Sequence, residues 1–405
     1  MAKHYSDITI RDSADKTDDL AEKTREFVIR DCLPLEDAWR KTGASVTEGL
    51  RHELMDLARA AGVYGLHLPA EFGGAGMDHR GKAKILEAAG YSMLGPLALH
   101  CAAPDEGNQH MLDVVAEGAH REEYLRPLCE GERSCFLMTE PGGAGSDPAR
   151  LKTVAVKDGD DYVINGRKWF ITGAVGAKFA IIMARDGEAA DAPPTMFLAP
   201  MSTPGINIVR PLDVIAHDST GGHCIVDLDN LRVHKSQILG EPGLAFRYAQ
   251  VRLAPARLTH CMRWLGAAER CHDIARSHAA QRELFGDRLG NHQGASFMLA
   301  DNEIDIYASR QVIAHACAVL DSGAKGRHES SMAKVFVSEA TSRIVDRSVQ
   351  LLGGIGVTGL TQVEHIYRSI RAFRIYDGPS EAHRMAIGRR VLPRGNDMLP
   401  SLTDF

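Results

Sequence analysis

The chain has 405 residues, which is long for a single hydrophobic core and predicts two or three packed domains. Its composition, with 44% hydrophobic and 25% charged residues, is that of a soluble globular protein. A formal net charge of −6 gives no electrostatic basis for nucleic acid or an anionic membrane as the main partner, so an anionic ligand would have to be bound by local arginines.

The N-terminal segment lacks the features of a targeting sequence. Residues 1–19 have no apolar core for a signal peptide and carry too many acids for a transit peptide. No apolar run approaches the length needed to span a bilayer. Eight cysteines are scattered without a Cys-x-x-Cys pair, which argues against a metal site and favours reduced thiols. We therefore expect a cytoplasmic protein with no metal and no membrane span.

The hydrophobic pattern changes twice along the chain. Over residues 16–115 apolar residues recur at helical spacing, interrupted by the Gly-rich stretch LPAEFGGAGMD. The middle of the chain consists of short β-rich runs separated by Gly, Asp and Pro, and VAVKDGDDYVI predicts a hairpin that turns on Asp-Gly-Asp-Asp. Helical spacing returns from about residue 243 to 390. The predicted order is helical, then β, then helical.

A glycine-rich stretch, GIGVTG, matches the dinucleotide fingerprint at Gly354, Gly356 and Gly359. That fingerprint has meaning only after a strand and before a helix. The preceding run, SEATSRIVDRSVQLLGG, has helical spacing and ends in glycines typical of a helix stop. We therefore predict that this is not a Rossmann site.

Close to the C-terminus, the stretch RAFRIYDGPSEAHRMAIGRRV places one carboxylate, Asp377, between a tyrosine and a Gly-Pro pair. Asp-Gly-Pro is ordinary turn chemistry, so the plain interpretation is a turn before a last helix. The alternative is a carboxylate that removes a proton from a substrate. His383 could tune such a carboxylate, although a histidine in that position more commonly faces solvent.

Four stretches, in order and at their spacing, resemble motifs of the acyl-CoA dehydrogenase family. FLMTEPGGAGSD (136–147) is similar to its Thr-Glu-Pro…Gly-Ser-Asp signature, and VINGRKWFITGA (163–174) to its Asn-Gly-x-Lys-x-Trp-Ile-Thr strand. QRELFGDRLGNHQGASFMLAD (281–301) resembles its Arg-x-x-Phe-Gly…His-Gln segment. VQLLGGIGVTG followed by IYDGPSEAHR resembles its closing segments. The match covers nearly the whole chain, and Asp-Gly-Pro resembles one subgroup of the family.

The resemblance implies an α+β fold with three domains: N-terminal helical (1–134), central β-sandwich or barrel (135–243) and C-terminal four-helix bundle (244–405). It also implies FAD-dependent oxidation of an acyl-CoA thioester to the trans-2-enoyl-CoA, as in fatty acid β-oxidation. A base removes an α proton while flavin N5 accepts the β hydride, and the electrons pass to an electron-transferring flavoprotein. Such a base must be a carboxylate in a dry pocket, and the developing enolate oxygen needs fixed hydrogen-bond donors.

The family's base lies between Tyr and Gly, which implies that Asp377 is the base here. The backbone N–H of Asp377 and a ribityl hydroxyl of the flavin would bind the thioester oxygen, with Gly378 beside the substrate. Asp in place of the usual Glu shortens the reach by about 1.5 Å. Misplacement of that order can lower the rate roughly a hundredfold. The stretch VRLAPAR, which ends at Arg257, contains no acid that could replace this base.

The same resemblance assigns residues of the central domain to the flavin. Thr139 would hold the ring through backbone contacts, Ser146 would lie between the flavin and the CoA arm of the substrate, and Thr172 would hydrogen-bond near N5. Phe170 takes the place of the family's Trp beside the flavin; for Phe170 and the preceding Trp169 the alternative is sandwich core. The expected flavin contacts of this domain are Phe136, Met138, Thr139, Gly145, Ser146, Phe170, Ile171 and Thr172.

The resemblance assigns the remaining contacts to the helical C-terminal part. Arg257 would meet the CoA side of the substrate together with Leu253, whereas a helix-surface arginine is the plain alternative. Arg282, 25 residues further on, would reach the FAD pyrophosphate of a neighbouring subunit, where a guanidinium can bind two phosphate oxygens. Glu381 replaces a residue that usually contacts FAD and could instead cap the final helix. The other expected FAD contacts are Phe285, Gln293, Gln350, Gly353 and Gly354.

A shared FAD site implies a homo-oligomer, either a dimer or a homotetramer built as a dimer of dimers. Two other functions stay open. A flavin oxidase of the same fold, similar to nitroalkane oxidase or acyl-CoA oxidase, would use O₂. Nitroalkane oxidases also use an Asp base but need no CoA, so a CoA-length cleft lined by Arg257 and the Ser146 turn distinguishes the two. A flavin-less binding relative is disfavoured by the intact WFIT and HQ stretches.

Overall fold

The computed structural model describes residues 4–216 and 220–392, and the predicted order of helical, β and helical regions is confirmed. The helices are α1 His4–Phe27, α2 Leu33–Arg40, α3 Glu48–Ala60, α4 His79–Gly90, α5 Gly95–Ala98, α6 Asp105–Val115, α7 Arg126–Glu130, α8 Ala245–Gln281, α9 Gln293–Asp321, α10 Arg327–Leu352, α11 Val363–Ile370 and α12 Ser380–Val391. The strands are β1 Ser134–Leu137, β2 Val154–Asp158, β3 Asp161–Thr172, β4 Phe179–Asp186, β5 Pro194–Pro200, β6 Ile206–Pro211, β7 His223–His234, β8 Glu283–Leu284 and β9 Asp287–Arg288.

The N-terminal helices pack directly on the C-terminal ones. Apolar residues of α3 and α4 share one buried core with residues of α8, α9 and α10. Two glycines permit the close crossing of α4 and α8: a Cβ at Gly90 would lie 2.0 Å from the backbone oxygen of Arg263, and one at Gly266 would lie 2.1 Å from that of Glu87. The small residue at each crossing point therefore fixes the face of α8 that turns toward the N-terminal region.

The middle region forms one sheet of seven strands in the order β1-β4-β2-β3-β7-β6, with β5 paired to β4. The predicted hairpin is confirmed, because β2 and β3 pair antiparallel and Asp158 pairs with Asp161 across the turn. Strands β4 and β5 are almost completely buried, which explains their continuous apolar sequence. The pairing of β3 with β7 shifts register between Lys168 and Ile171. This bulge changes the direction in which the side chains between them point.

Three long helices dominate the C-terminal region. Helices α8, α9 and α10 contain 37, 29 and 26 residues and pack against one another, and α11 and α12 lie against α10. Helix α10 ends at Leu352, and a short 3₁₀ turn, Gly353–Val357, follows it, beginning at Gly353 with a φ of +59°. The GIGVTG stretch thus follows a helix and not a strand, as predicted. Within the described ranges no helix has both the length and the apolarity to cross a bilayer.

Candidate active site

A cavity of about 1200 Å³ opens between the β region and the two helical regions. Its walls come from the loop before α6, the end of β1 and the turn after it, the end of β3, one face of α8, and the segment from α11 to α12. The sequence-predicted residues that line it are Phe136, Met138, Thr139, Gly145, Ser146, Phe170, Thr172, Leu253, Arg257, Asp377 and Gly378. Predicted residues that are far apart in the sequence therefore line the same cavity.

Asp377 lies at the tip of a tight turn that ends in this cavity. Its φ is +53° and that of Gly378 is +96°, both in the left-handed region. Asp tolerates that region better than most residues, and Gly adopts it without strain. Pro379 then leads directly into α12. The turn interpretation of Asp-Gly-Pro is therefore correct, and the same turn holds the carboxylate at the cavity.

Two positively charged side chains and a histidine hold this turn through its backbone. Lys334 donates to the carbonyl oxygen of Phe373 at 2.6 Å and to that of Gly378 at 3.4 Å. The Nε of Arg257 and the Nε2 of His383 each lie 3.1 Å from the carbonyl oxygen of Asp377. The expectation that His383 faces solvent is wrong, because it is only 5% exposed. Its contact is with the backbone of the turn, not with the carboxylate.

The side chain of Asp377 is 19% exposed, and its Oδ2 lies 3.2 Å from the Nε2 of His260. Burial by itself would raise the pKa of the Asp377 carboxyl. The hydrogen bond from His260 and the positive charges of Arg252 and Arg257 outweigh burial and hold this pKa well below its ordinary value. Asp377 is therefore ionised at neutral pH and can accept a proton.

Arg252 is another buried cation of the cavity and was not predicted. It is 7% exposed; its Nε donates to the Oδ1 of Asn108 at 2.7 Å, and its guanidinium carbon lies 4.6 Å from the centre of the Phe136 ring. Burial lowers the pKa of Arg252, while the nearby charges of Asp377, Glu106 and Asp105 raise it. Because a buried charge is costly unless it is compensated, Arg252 and Asp377 stabilise each other's ionised forms.

Aromatic side chains from the β region form another part of the cavity wall. Phe170 has a φ of +53° at the β3 bulge and is 52% exposed, so it is not part of the sandwich core. Its ring centre lies 4.8 Å from that of Trp169, which also lines the cavity. The hydroxyl of Thr172 contacts the Nδ1 of His223 at 3.0 Å. Ile171 instead points into the buried core of the sheet, so only its backbone is available to a ligand.

A buried ion pair connects the two central motifs. The ammonium of Lys168 lies 2.8 Å from Oε1 of Glu140, and both side chains are almost inaccessible, at 0% and 2% exposed. Lys168 also donates to the carbonyl oxygen of Met183 at 2.7 Å. Next to this pair, the backbone N–H of Trp169 donates to the carbonyl oxygen of Thr139 at 3.0 Å. The Thr-Glu-Pro turn is thereby held against β3, where both motifs face the cavity.

The residues predicted to contact a neighbouring subunit's FAD lie outside this cavity, and so does Glu381, which was expected near FAD without a subunit being assigned. Phe285 is 94% exposed, in the short β8–β9 hairpin that follows α8. Glu381 lies in the first turn of α12, where its carboxylate is 3.7 Å from Arg384. The other members of this group lie at the ends of α8, α9 and α10: Arg282, Gln293, Gln350, Gly353 and Gly354.

Sequence reasoning missed His260 and Arg263 as well as Arg252. Arg257, His260 and Arg263 follow one another at intervals of three residues along α8, and all three line the cavity. Residues three or four apart share a helix face. This spacing could have indicated that His260 and Arg263 share a face of α8 with Arg257, but it does not reveal what that face of the helix contacts.

The comparisons with known proteins agree with this arrangement. Models of the N-terminal, middle and C-terminal domains of acyl-CoA dehydrogenase match residues 14–132, 135–231 and 246–392. The probable acyl-CoA dehydrogenase FadE2 of Mycobacterium tuberculosis is 38% identical over 350 residues, which cover 84% of this chain and 85% of that protein. Acyl-CoA dehydrogenase family member 11 of Homo sapiens is 35% identical over 84% of this chain, and the matched part is 44% of its own length.

A solved structure of an acyl-CoA dehydrogenase also matches this chain. Butyryl-CoA dehydrogenase from Megasphaera elsdenii superimposes with a TM-score of 0.84 at 27% identity, covering 93% of this chain and 98% of that one. The chain belongs to the acyl-CoA dehydrogenase family, and the predicted fold class is confirmed. It is an oxidoreductase, and its cofactor is FAD.

The residues around the cavity fit a flavin. The half-exposed Phe170 ring, with Trp169 tilted beside it, offers an apolar aromatic surface against which a flavin ring can pack. A Cβ built on Gly145 would meet no atom within 4 Å, so the turn at that position leaves room for a ligand close to its backbone. The volume also exceeds that of an ordinary small-molecule site, as needed for a flavin and an acyl chain together.

Proposed function

We propose that the protein oxidises an acyl-CoA thioester to the trans-2-enoyl-CoA and that Asp377 removes the α proton. The observation that carries this proposal is the largely buried carboxylate of Asp377, which lines the same cavity as Phe170; its lowered pKa agrees with a carboxylate that is ionised at neutral pH. A dry carboxylate opposite a flavin is the arrangement that α-proton removal requires. When bound, FAD supplies the acceptor for the two electrons that leave the substrate.

The chain's own residues would act in three ways. Asp377 would take the α proton, and its backbone N–H would donate to the thioester oxygen as negative charge develops there. Arg257, on the same cavity wall and bonded to the carbonyl oxygen of Asp377, would keep the turn rigid and face the CoA side of the substrate. Leu253 and the Ser146 turn would cover the acyl and CoA parts from α8 and from the β region. Exclusion of water would strengthen each of these contacts.

The residues proposed to hold FAD fall into two groups. Phe136, Met138, Thr139, Phe170 and Thr172 would contact the ring from the central region. The second group, at the exposed ends of α8, α9 and α10, would contact the FAD of a second copy of the chain. Its support is the outward exposure of apolar residues there: Phe285 at 94% and Phe297 at 59%. We propose a dimer as the minimum assembly and a homotetramer as its doubled form.

Arg257 and Ser146 both line the cavity, and this favours a CoA substrate over a nitroalkane. We propose that electrons pass to an electron-transferring flavoprotein rather than to O₂, in fatty acid β-oxidation. The domain division 1–134, 135–243 and 244–405 stays a prediction. Among the described residues all eight cysteines are free thiols, which supports a reducing compartment, and we propose the cytoplasm.

The test is anaerobic stopped-flow measurement of flavin bleaching with a panel of acyl-CoAs, and with nitroalkanes as the competing substrates. Wild-type protein should bleach with at least one acyl-CoA, whereas Asp377→Asn should retain FAD and bind ligand but lose bleaching. Reoxidation of the reduced protein by O₂ and by an electron-transferring flavoprotein then separates oxidase from dehydrogenase. Asp377→Asn protein that bleaches at the wild-type rate would show that another group is the base.

A further inference from the structure

Asp377 has only one side-chain partner within ion-pair distance among the described residues, and that partner is His260. The Nε2 of His260 lies 3.2 Å from Oδ2 of Asp377, and the two side chains are 12% and 19% exposed. The imidazole is enclosed by rings, with its centre 4.8 Å from that of Tyr376 and 6.1 Å from that of Phe373. A ring packed in this way has few orientations available.

The other ring nitrogen of His260 is also engaged. The Nη2 of Arg263 lies 3.2 Å from Nδ1 of His260, and an arginine can only donate hydrogen bonds. Nδ1 must therefore accept, so in the neutral imidazole the proton is on Nε2, where it is donated to Asp377. Arg263 is itself anchored by a 2.7 Å hydrogen bond to the carbonyl oxygen of Cys101. Burial and the charge of Arg263 lower the pKa of His260, which keeps the ring neutral at pH 7.

We propose that His260 is the positioning residue of the shortened base: it orients the Asp377 carboxylate through one hydrogen bond, in a tautomer set by Arg263. The inference rests on the proposed function, since it concerns the same base. An Asp side chain has only two rotatable bonds, and the left-handed backbone at Asp377 fixes where they start. A donor on α8 therefore decides which way the oxygens point within the cavity.

The remaining charged and titratable groups around this pair do not replace His260. Arg257 and His383 contact the backbone carbonyl of Asp377, and Lys334 contacts the carbonyl oxygens of Phe373 and Gly378. Glu106, on α6, accepts a hydrogen bond from Thr259 at 2.7 Å and lies 3.8 Å from Arg263. Arg252 adds a positive charge nearby without a hydrogen bond to the carboxylate.

The experiment compares His260→Phe, which keeps a ring but removes the donor, with His260→Gln, whose amide can donate from a similar place. His52→Phe, at an exposed position on α3, is the matched control. The first readout is deuterium incorporation at the α carbon of an acyl-CoA in D₂O, measured by mass spectrometry with FAD chemically reduced so that oxidation is blocked. The second is the pH profile of flavin bleaching. FAD content and thermal melting check that each variant is folded.

We expect His260→Phe to slow α-proton exchange about ten- to a hundredfold, the range for a misplaced catalytic group. In the pH profile of flavin bleaching, the acid limb of His260→Phe should move to higher pH, because loss of the hydrogen bond raises the pKa of Asp377. His260→Gln should recover most of the exchange rate. The inference would be overturned if His260→Phe exchanged the α proton at the wild-type rate. It would also be overturned if His260→Phe and His260→Gln slowed exchange equally while the acid limb of the pH profile stayed where it is in the wild type. Wild-type exchange in Asp377→Asn would instead overturn the proposed function.

Discussion

The buried ion pair between Lys168 and Glu140 offers a quantitative test of how the two central motifs are held together. We consider Lys168→Met, which keeps a side chain of similar length and leaves no large cavity but removes the ammonium group. Removing one partner of a buried pair typically costs about 3–5 kcal/mol, because the other charge stays buried. The Glu140 carboxylate keeps three donors: the N–H of Lys152 at 2.5 Å, the N–H of Thr153 at 2.9 Å and the Thr153 hydroxyl.

Those remaining donors place the expected loss at the lower end, about 3 kcal/mol of the free energy of unfolding. The double variant Lys168→Met with Glu140→Gln removes both charges and should recover about 2 kcal/mol relative to Lys168→Met. The Thr139 turn depends on the same pair, so we also expect Lys168→Met to weaken FAD binding. Lys178→Met is the matched control, since the pair of Lys178 with Glu132 is exposed and 3.9 Å apart.

The assay is urea unfolding of the FAD-bound protein at one protein concentration, followed by circular dichroism and by flavin fluorescence. Fixed concentration is needed because FAD binding and association both contribute to apparent stability. The control should lose less than about 0.5 kcal/mol, as exposed ion pairs do. A loss below about 1 kcal/mol in Lys168→Met would refute the reasoning, and so would a double variant no more stable than the single one.

Three further predictions concern the cavity and the outer surface. Gly378→Ala should reduce the rate of flavin bleaching about tenfold, because Gly378 has a φ of +96° and a Cβ there would lie 2.5 Å from Nε2 of His383. The control Gly388→Ala, at an open helical site, should leave the rate unchanged. The pKa of Asp377 in the folded protein lies below its ordinary value, so the ionised carboxylate stabilises the fold fully above about pH 4, and this stabilisation is lost as pH falls through the folded-state pKa. The acid unfolding curve of Asp377→Asn should therefore lack this loss of stability. A curve that matches wild type would contradict the prediction. Phe285→Ser should weaken both self-association and FAD retention about tenfold, measured by sedimentation velocity and flavin absorbance; unchanged values would remove Phe285 from the proposed interface.

The sequence by itself was sufficient for the parts that depend on local patterns. Apolar spacing predicted the helical, β and helical regions, and the Asp-Gly-Asp-Asp turn predicted the β2–β3 hairpin. Helical spacing before Gly353 was sufficient to exclude a dinucleotide fingerprint. Motif resemblance also predicted that Asp377 and Phe170 lie at one site, because segments that match a family in order imply that family's arrangement of residues distant in the chain. Both residues line the same cavity.

Only the tertiary structure determined what each charged side chain contacts. His260 and Asp377 are separated by 117 positions and Lys168 and Glu140 by 28, and no local pattern links either pair. Helical spacing places Arg257, His260 and Arg263 on one face of α8, but only the packing of the Asp377 turn against that face shows what Arg257 and His260 contact. Hydrogen bonds act over about 3 Å, so they exist only once packing has fixed positions to that accuracy.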